Sequence, residues 1–230
     1  MSSFKIKKLD WESTFFGFEV GKIEIFNSLN TEQIPKIISQ SPFLLIQLFS
    51  KINLSGFLKT DPIDIKLTYF KKVPKKTSFD NIYIKSANED LDGSLVSLAK
   101  EAGIYSRFKK DNSLNSKFEK MYELWMNKSL ERELANEVFV HQKEKINGMV
   151  TIKKIIDEAK IGLMSVNSDL VNKGIGTQLL KSVESWSIDL NLKSISVATQ
   201  QENYKACAFY EKNNFIVREK IYIYHIWKKK

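Results

Sequence analysis

The sequence predicts an α/β protein: a central, mostly antiparallel sheet flanked by helices, with a smaller α/β unit ahead of it. Three observations carry this reading. The 230 residues, 43% hydrophobic and 12% aromatic, suffice for a sizeable core. Apolar residues recur at helical or strand spacing in the order two helices, a run of strands, helix, strand, helix, strand. The charged stretch Lys71–Ser78, broken by Pro74, reads as a linker, which divides the chain into residues 1–80 and 81–230.

In the first unit, Phe18–Phe26 and Phe43–Phe49 read as strands, with a helix over Thr31–Ser39 between them. Ile63–Phe70 alternates, placing Ile63, Ile65, Leu67 and Tyr69 on one face of a further strand. In the second unit, Asn88–Gly103 and Asn115–Ala135 have helical spacing; Phe118, Met121, Tyr122, Trp125 and Met126 make the stripe of the latter. Strands follow at Glu137–Gln142, Asn147–Ile156 and Ala159–Val166, with Gly148 suited to a hairpin turn between the first two. A helix over about Ile175–Leu190 carries Leu179, Leu180, Val183 and Trp186 on its apolar face. Lys193–Thr199 is a strand, Tyr204–Lys212 a helix and Phe215–Trp227 the last strand. Its segment Ile221–Trp227 offers an edge for a homodimer.

Composition removes several function classes. A single cysteine, Cys207, excludes an internal disulfide framework, and the distant His141 and His225 form no ligand spacing, so no metal is expected. The net charge of +9 is spread over scattered lysines; a solvated surface ranks first, attraction of a phosphate-bearing small ligand second. Nucleic acid ranks a distant third, because no dense basic stripe with interleaved aromatics is present. No segment approaches the roughly 18 apolar residues of a membrane span, and the N-terminus has no secretory pattern. The expected location is the cytoplasm, without a membrane partner.

The strongest local feature is the strand–turn–helix around Asn172, Lys173, Gly174, Ile175, Gly176 and Thr177. Amides at a helix start lack intrahelical partners and the dipole adds positive charge, so glycines there let an anion approach the backbone. Alone, Gly-x-Gly is weak evidence. It lacks the Gly-Lys-Ser/Thr of a nucleotide-hydrolysing loop and the third glycine of a dinucleotide fold. A second element follows the next strand: Asn203 suits a helix N-cap, while Ala206 and Tyr210, four apart, put a small residue and a phenol on one face. Phe209 reads as packing on the sheet.

With these residues in order, the chain resembles the GNAT superfamily of acyl-CoA N-acetyltransferases. The turn matches that family's Q/R-x-x-G-x-G/A at Gly174 and Gly176, and departs where Val171 replaces glutamine or arginine. Asn214 stands where the family has glycine, a mild departure because asparagine tolerates left-handed geometry. LDWESTFFGFEVGKIEI, GIYSRFKKD at Gly103–Asp111, AKIGLMSV at Ala159–Val166 and SVATQQEN at Ser196–Asn203 are similar to the dTDP-fucosamine acetyltransferases, over nearly the whole chain.

That resemblance implies a GNAT-type fold and direct acetyl transfer in a ternary complex. The acceptor would be the 4-amino group of a dTDP-4-amino-4,6-dideoxyhexose, with acetyl-CoA as co-substrate. It implies Tyr210 as general acid to the departing thiolate, and amides near Met164, Ser165 and Val166 polarising the thioester carbonyl. Asn172, Lys173, Gly174, Ile175, Gly176 and Thr177 would hold the diphosphate, with Asn203, Ala206 and Phe209 along the coenzyme. Tyr105, Ser106, Arg107 and Phe108 are the acceptor candidates, with Phe15 and Phe16 beside Gly17 added and packing the favoured single role for the phenylalanines. For a general base, Asp61 and Asp64 are candidates, an ordinary surface position being favoured for both. Cys207 lies on another helical face and is read as structural. Rival readings are another amine or protein acceptor, or a CoA-binding module without catalysis.

Overall fold

The computed structural model describes residues 6–25, 34–77 and 83–228. Its elements are β1 (Lys7–Lys8), α1 (Asp10–Phe16), β2 (Val20–Ile25), α2 (Ile34–Gln40), β3 (Leu45–Ser50), α3 (Ser55–Leu58), β4 (Asp64–Lys72) and β5 (Ile84–Ser86). There follow α4 (Ser94–Ala102), α5 (Arg107–Lys110), α6 (Phe118–Leu130), β6 (Glu137–Gln142), β7 (Ile146–Ile155), β8 (Glu158–Val166), α7 (Ile175–Asp189), β9 (Ser194–Gln200), α8 (Tyr204–Lys212) and β10 (Ile216–Trp227).

Among the described residues the strands form one sheet, in the order β1-β2-β3-β10-β4-β9-β8-β7-β6-β5. Only β2 with β3 and β8 with β9 run parallel. The expected boundary near residue 80 falls outside the described residues, and strands from both sides of it share this sheet: β4 lies between β10 and β9. An interior strand is covered on both faces. Leu67 and Tyr69 of β4 face a core built by α7 and α8, while Asp64 is buried on the opposite face. That opposite face is covered by aromatic packing from α1, α5 and α6, in which Phe16, Phe108, Phe118 and Tyr122 are buried.

Several expectations need correction. The proposed dimer edge at Ile221–Trp227 is an interior strand, bonded to β3 on one side and β4 on the other. Gly148 is not in a turn: it pairs with His141 inside the β6–β7 ladder. A Cβ there would come within 3.0 Å of the Ser165 carbonyl oxygen and 3.2 Å of Ile175 and Leu179, so close packing explains the glycine. The helix expected over Asn88–Gly103 begins only at Ser94, because Asp90 accepts from the amides of Leu95 and Val96 and Asp92 from that of Ser94. The start of the helix expected at Thr31 lies outside the described residues. Among the described residues no helix is long and apolar enough to cross a membrane.

Candidate active site

Parallel strands β8 and β9 pair only from Glu158–Ser194 to Ile161–Val197. Beyond that point β8 continues to Val166 on β7 and β9 to Gln200 on β4 without pairing to each other, so the sheet opens as a wedge. Crevices at the carboxyl ends of parallel strands are where open α/β sheets bind ligands. Toward β7, the Leu163 amide donates to Thr151 Oγ1 at 2.8 Å and the Asn167 amide to the Asn147 carbonyl at 2.9 Å. Alternation along the strand turns the amides of Met164 and Val166 the other way, into the wedge.

Helices α7 and α8 follow the two strands that open, and both begin at the mouth of the wedge. The start of α7 has Gly174 as N-cap at φ 80°, no side-chain cap and no acidic residue in its first turn. The first intrahelical bond is Gln178 amide to Gly174 carbonyl, which leaves the amides of Ile175, Gly176 and Thr177 for a ligand. Gly174 is needed for its left-handed backbone, with Asn172 at φ 67° beside it. Gly176 has a different reason: a Cβ there would meet the Phe209 ring at 3.0 Å, so it admits the packing of α8 rather than an anion. Ile175 sends its side chain into the core; Lys173 and Val171 are exposed.

On α8, Asn203 spends its side chain as a cap, accepting from the Ala206 amide at 3.2 Å. Tyr210 is buried, 5% exposed, with its ring among those of Tyr69, Phe209 and Phe215. Its hydroxyl meets one group among the described residues, Met164 Sδ on the wedge portion of β8, at 3.9 Å. A thioether is a weak acceptor, so this phenol enters the wedge nearly unengaged. Burial pushes its pKa well above that of a free phenol, with the neighbouring Cys207 adding to the shift. Tyr69, whose ring packs against that of Tyr210, is fully engaged: its hydroxyl donates to Glu211 at 2.8 Å. Cys207 is buried with its sulfur toward the carbonyls of Gln200 and Gln201, a packing position.

The acceptor candidates divide into two groups. Phe16 and Phe108 are core, stacked with ring centroids 6.1 Å apart, and contribute shape. Tyr105 is half-buried and Ser106 buried at the start of α5. Arg107 turns toward the sheet, its guanidinium 4.2 Å from the Phe108 ring centroid and 5.6 Å from that of Phe49. Facing it is Asp64, only 2% exposed, which corrects the surface position favoured for it; Asp61 is exposed as expected. Burial raises the Asp64 pKa to about 6 against the attraction of Arg107 and Lys110. No hydrogen bond or ion pair reaches Asp64 among the described residues, and its Oδ1 is sealed from solvent.

Sequence reasoning missed Gln47 on β3 and His225 on β10, which are register partners on the same face. Gln47 is wholly buried and neither end of its amide has a partner. His225 Nδ1 lies 2.6 Å from Asp111 Oδ2, which also accepts from Trp227 Nε1 at 3.0 Å. Burial works against an ionised Asp111, but the bonds from His225, Trp227 and the Ser113 amide outweigh it and hold its pKa below the usual carboxylate value. Burial lowers the His225 pKa in turn, so the neutral ring donates through Nδ1–H and leaves Nε2 as an unpaired acceptor. The signal for Gln47 was a lone amide in an apolar strand, FLLIQLF.

The order β8, glycine turn, α7, β9, α8 is the one by which the sequence resembles the GNAT acetyltransferases, and comparison with known proteins agrees. The family model described as acetyltransferase (GNAT) family matches residues 102–215. Over that stretch the chain is similar to the acetyltransferases of the GNAT superfamily, and its fold agrees. Its fold is similar to that of an acetyltransferase from the GNAT family of Colwellia psychrerythraea, with TM-score 0.54 and 11% identity over 98% of this chain and 100% of that one. The uncharacterized protein YxbD of Bacillus subtilis is 34% identical over 83 residues, 36% of this chain and 51% of that protein. The spore coat polysaccharide biosynthesis protein SpsD of the same organism is 26% identical over 136 residues, 58% of this chain and 47% of that protein. The chain thus spans about half the length of the curated relatives it matches.

Proposed function

We propose that this chain is an acetyl-CoA-dependent N-acetyltransferase acting on the 4-amino group of a dTDP-4-amino-4,6-dideoxyhexose by direct transfer. The observation that carries the reading is the Tyr210 hydroxyl, buried, aimed at the open part of β8 and engaged only by a thioether. The uncapped start of α7 suits the coenzyme diphosphate, and the half-buried flanks of Met164–Val166 suit its pantetheine arm. The likeness to a protein named for polysaccharide biosynthesis supports a sugar acceptor.

The residues divide the work as follows. The amides of Met164 and Val166 polarise the thioester carbonyl and receive the oxyanion of the tetrahedral adduct. Asp64, ionised above about pH 6, receives a proton from the acceptor ammonium, so that a neutral amine attacks. Tyr210 faces the departing sulfur. With its pKa raised by burial, full ionisation of the phenol opposite a thiolate of pKa about 8.5 is uphill, so its main contribution is a hydrogen bond to the developing charge. The proton lost by the product amide then neutralises the thiolate. Residues 1–80 contribute β3 and β4, which carry Gln47 and Asp64 to the acceptor side.

The reading is tested by thiol release from acetyl-CoA against a panel of dTDP-amino sugars, polyamines and other simple amines. Turnover on the 4-amino sugar nucleotides at least tenfold above the other amines is expected. Turnover on polyamines alone would sink the acceptor assignment, and no release with any amine would sink the enzyme.

A further inference from the structure

Buried polar side chains almost always find partners, and a burial without one costs free energy that selection removes unless a ligand repays it. On the face of the sheet beneath α5, three such side chains stand together. Gln47 and His225 are cross-strand partners, and Asp64 is the partner of Ile223, two residues from His225 on the same strand face. Gln47 is 0% exposed and lacks partners at both Oε1 and Nε2; Asp64 Oδ1 and His225 Nε2 are likewise alone. Arg107 lies over them: its charge acts on both Asp64 and His225, the second of its two ring contacts is with Phe49 beside them, and its buried Nε has no partner. Among the described residues Asp64 and Arg107 nonetheless form no ion pair with each other. Arg107 is partly exposed where the other three side chains are sealed, so it forms the outer side of the cluster.

The unpaired atoms are mixed in kind. Donors come from the Gln47 amide and Arg107 Nε, acceptors from the Gln47 carbonyl, Asp64 and the neutral His225. A phosphate would ask for donors only, and a polyamine for acceptors only. A group with alternating donors and acceptors and no net charge fits, which is the chemistry of vicinal hydroxyls. Resting on the acetyltransferase reading above, we propose that Gln47, Asp64, His225 and Arg107 form a hydroxyl-reading subsite that holds the sugar ring of the acceptor, entered when the Arg107 side chain swings aside.

The test uses Gln47→Leu, with Gln47→Met as a second variant of closer volume. Each is titrated by calorimetry with CoA, with dTDP-4-amino-4,6-dideoxygalactose and with its 3-deoxy analogue, and is melted without ligand. The variants are expected to bind CoA as wild type does, to bind the amino sugar about tenfold or more weakly, and to melt a few degrees higher because an unsatisfied amide is gone. Deleting the 3-hydroxyl weakens wild type and leaves the variants nearly indifferent. If the variants melt lower while keeping wild-type sugar affinity, Gln47 is a structural residue and the proposal fails. If wild type binds CoA and acetylates polyamines but binds no sugar nucleotide, the subsite fails and the acetyltransferase stands; absence of CoA binding overturns both.

Discussion

Two helices begin at the same end of the same sheet, one after β8 and one after β9, and they begin differently. The start of α8 is closed by its own sequence, Asn203 accepting from the Ala206 amide. The start of α7 has glycine as N-cap, no side-chain cap and no acidic residue in its first turn. Stability alone favours a cap worth about 1 kcal/mol at either position. On the proposed reading, the contrast separates a helix start built for the fold from one left open for the coenzyme diphosphate. The largest way to break it is to close α7. Gly174→Asp adds a carboxylate at a position whose left-handed backbone asparagine and aspartate tolerate. CoA affinity should fall by about 100-fold, ~2.7 kcal/mol, while the strained left-handed backbone lowers the melting temperature by only a few degrees. Calorimetric affinity within threefold of wild type would mean that the diphosphate lies elsewhere.

The same contrast between satisfied and open groups runs through β4. Tyr69, on one face, donates to Glu211; Asp64, on the other, has no partner among the described residues. Because burial lifts the Asp64 pKa from 3.8 to about 6, the folded state holds its proton more tightly than the unfolded chain. Its contribution to stability is present below pH 4 and is lost as pH rises to about 6, each tenfold in proton affinity being worth roughly 1.4 kcal/mol. Asp64→Asn should therefore be more stable than wild type above pH 7, by on the order of 2–3 kcal/mol, and should lose this advantage below pH 4. It should also reduce kcat/KM about tenfold or more and abolish the rise of kcat/KM through pH 6. Retention of that rise in the variant would remove Asp64 as the proton acceptor.

A smaller effect separates the two tyrosines whose rings lie 5.7 Å apart. Tyr210→Phe forfeits only a long contact to sulfur, so folding and CoA affinity should hold while kcat drops about tenfold. Tyr69→Phe removes the bond to Glu211 and should cost stability instead, by about 1 kcal/mol. Equal turnover by Tyr210→Phe, in steady-state thiol release, would end its catalytic role.

The helices and strands around the wedge were legible because their signals are local. The glycine turn, the Asn203 cap and the spacing of Ala206 and Tyr210 are each visible within one turn of helix. The insertion of β4 between β9 and β10 was not legible, since partners as distant in sequence as Lys66 and Gln200 leave no mark in either segment. Everything hidden follows from that insertion. It makes β10 interior, which removed the expected dimer edge, and it buries Asp64, which an isolated reading of DPIDIK placed at the surface. Gln47 and His225 became neighbours by register alone. Conversely, Gly148 and Gly176 carried the right residue for another reason, close packing, which sequence cannot distinguish from a turn or an anion cradle.

The smallest expected effect is the sharpest test of the opening comparison. By family resemblance Asn203 would line the coenzyme track, but its carboxamide oxygen is already committed to the Ala206 amide. If the cap is its whole role, Asn203→Ala should cost about 1 kcal/mol, a drop of roughly 2–4 °C in Tm for a chain of this size. CoA affinity would stay within twofold, since the freed amide lies at the first turn of α8 and α7 retains its own. Asn203→Asp should restore the Tm, because it can accept the same bond and adds charge of the sign a helix start favours. It should also weaken CoA binding if the coenzyme passes close by. Loss of affinity in the alanine variant without loss of stability would reverse the assignment, making α8 the second anion-binding start and removing the asymmetry between the two helices.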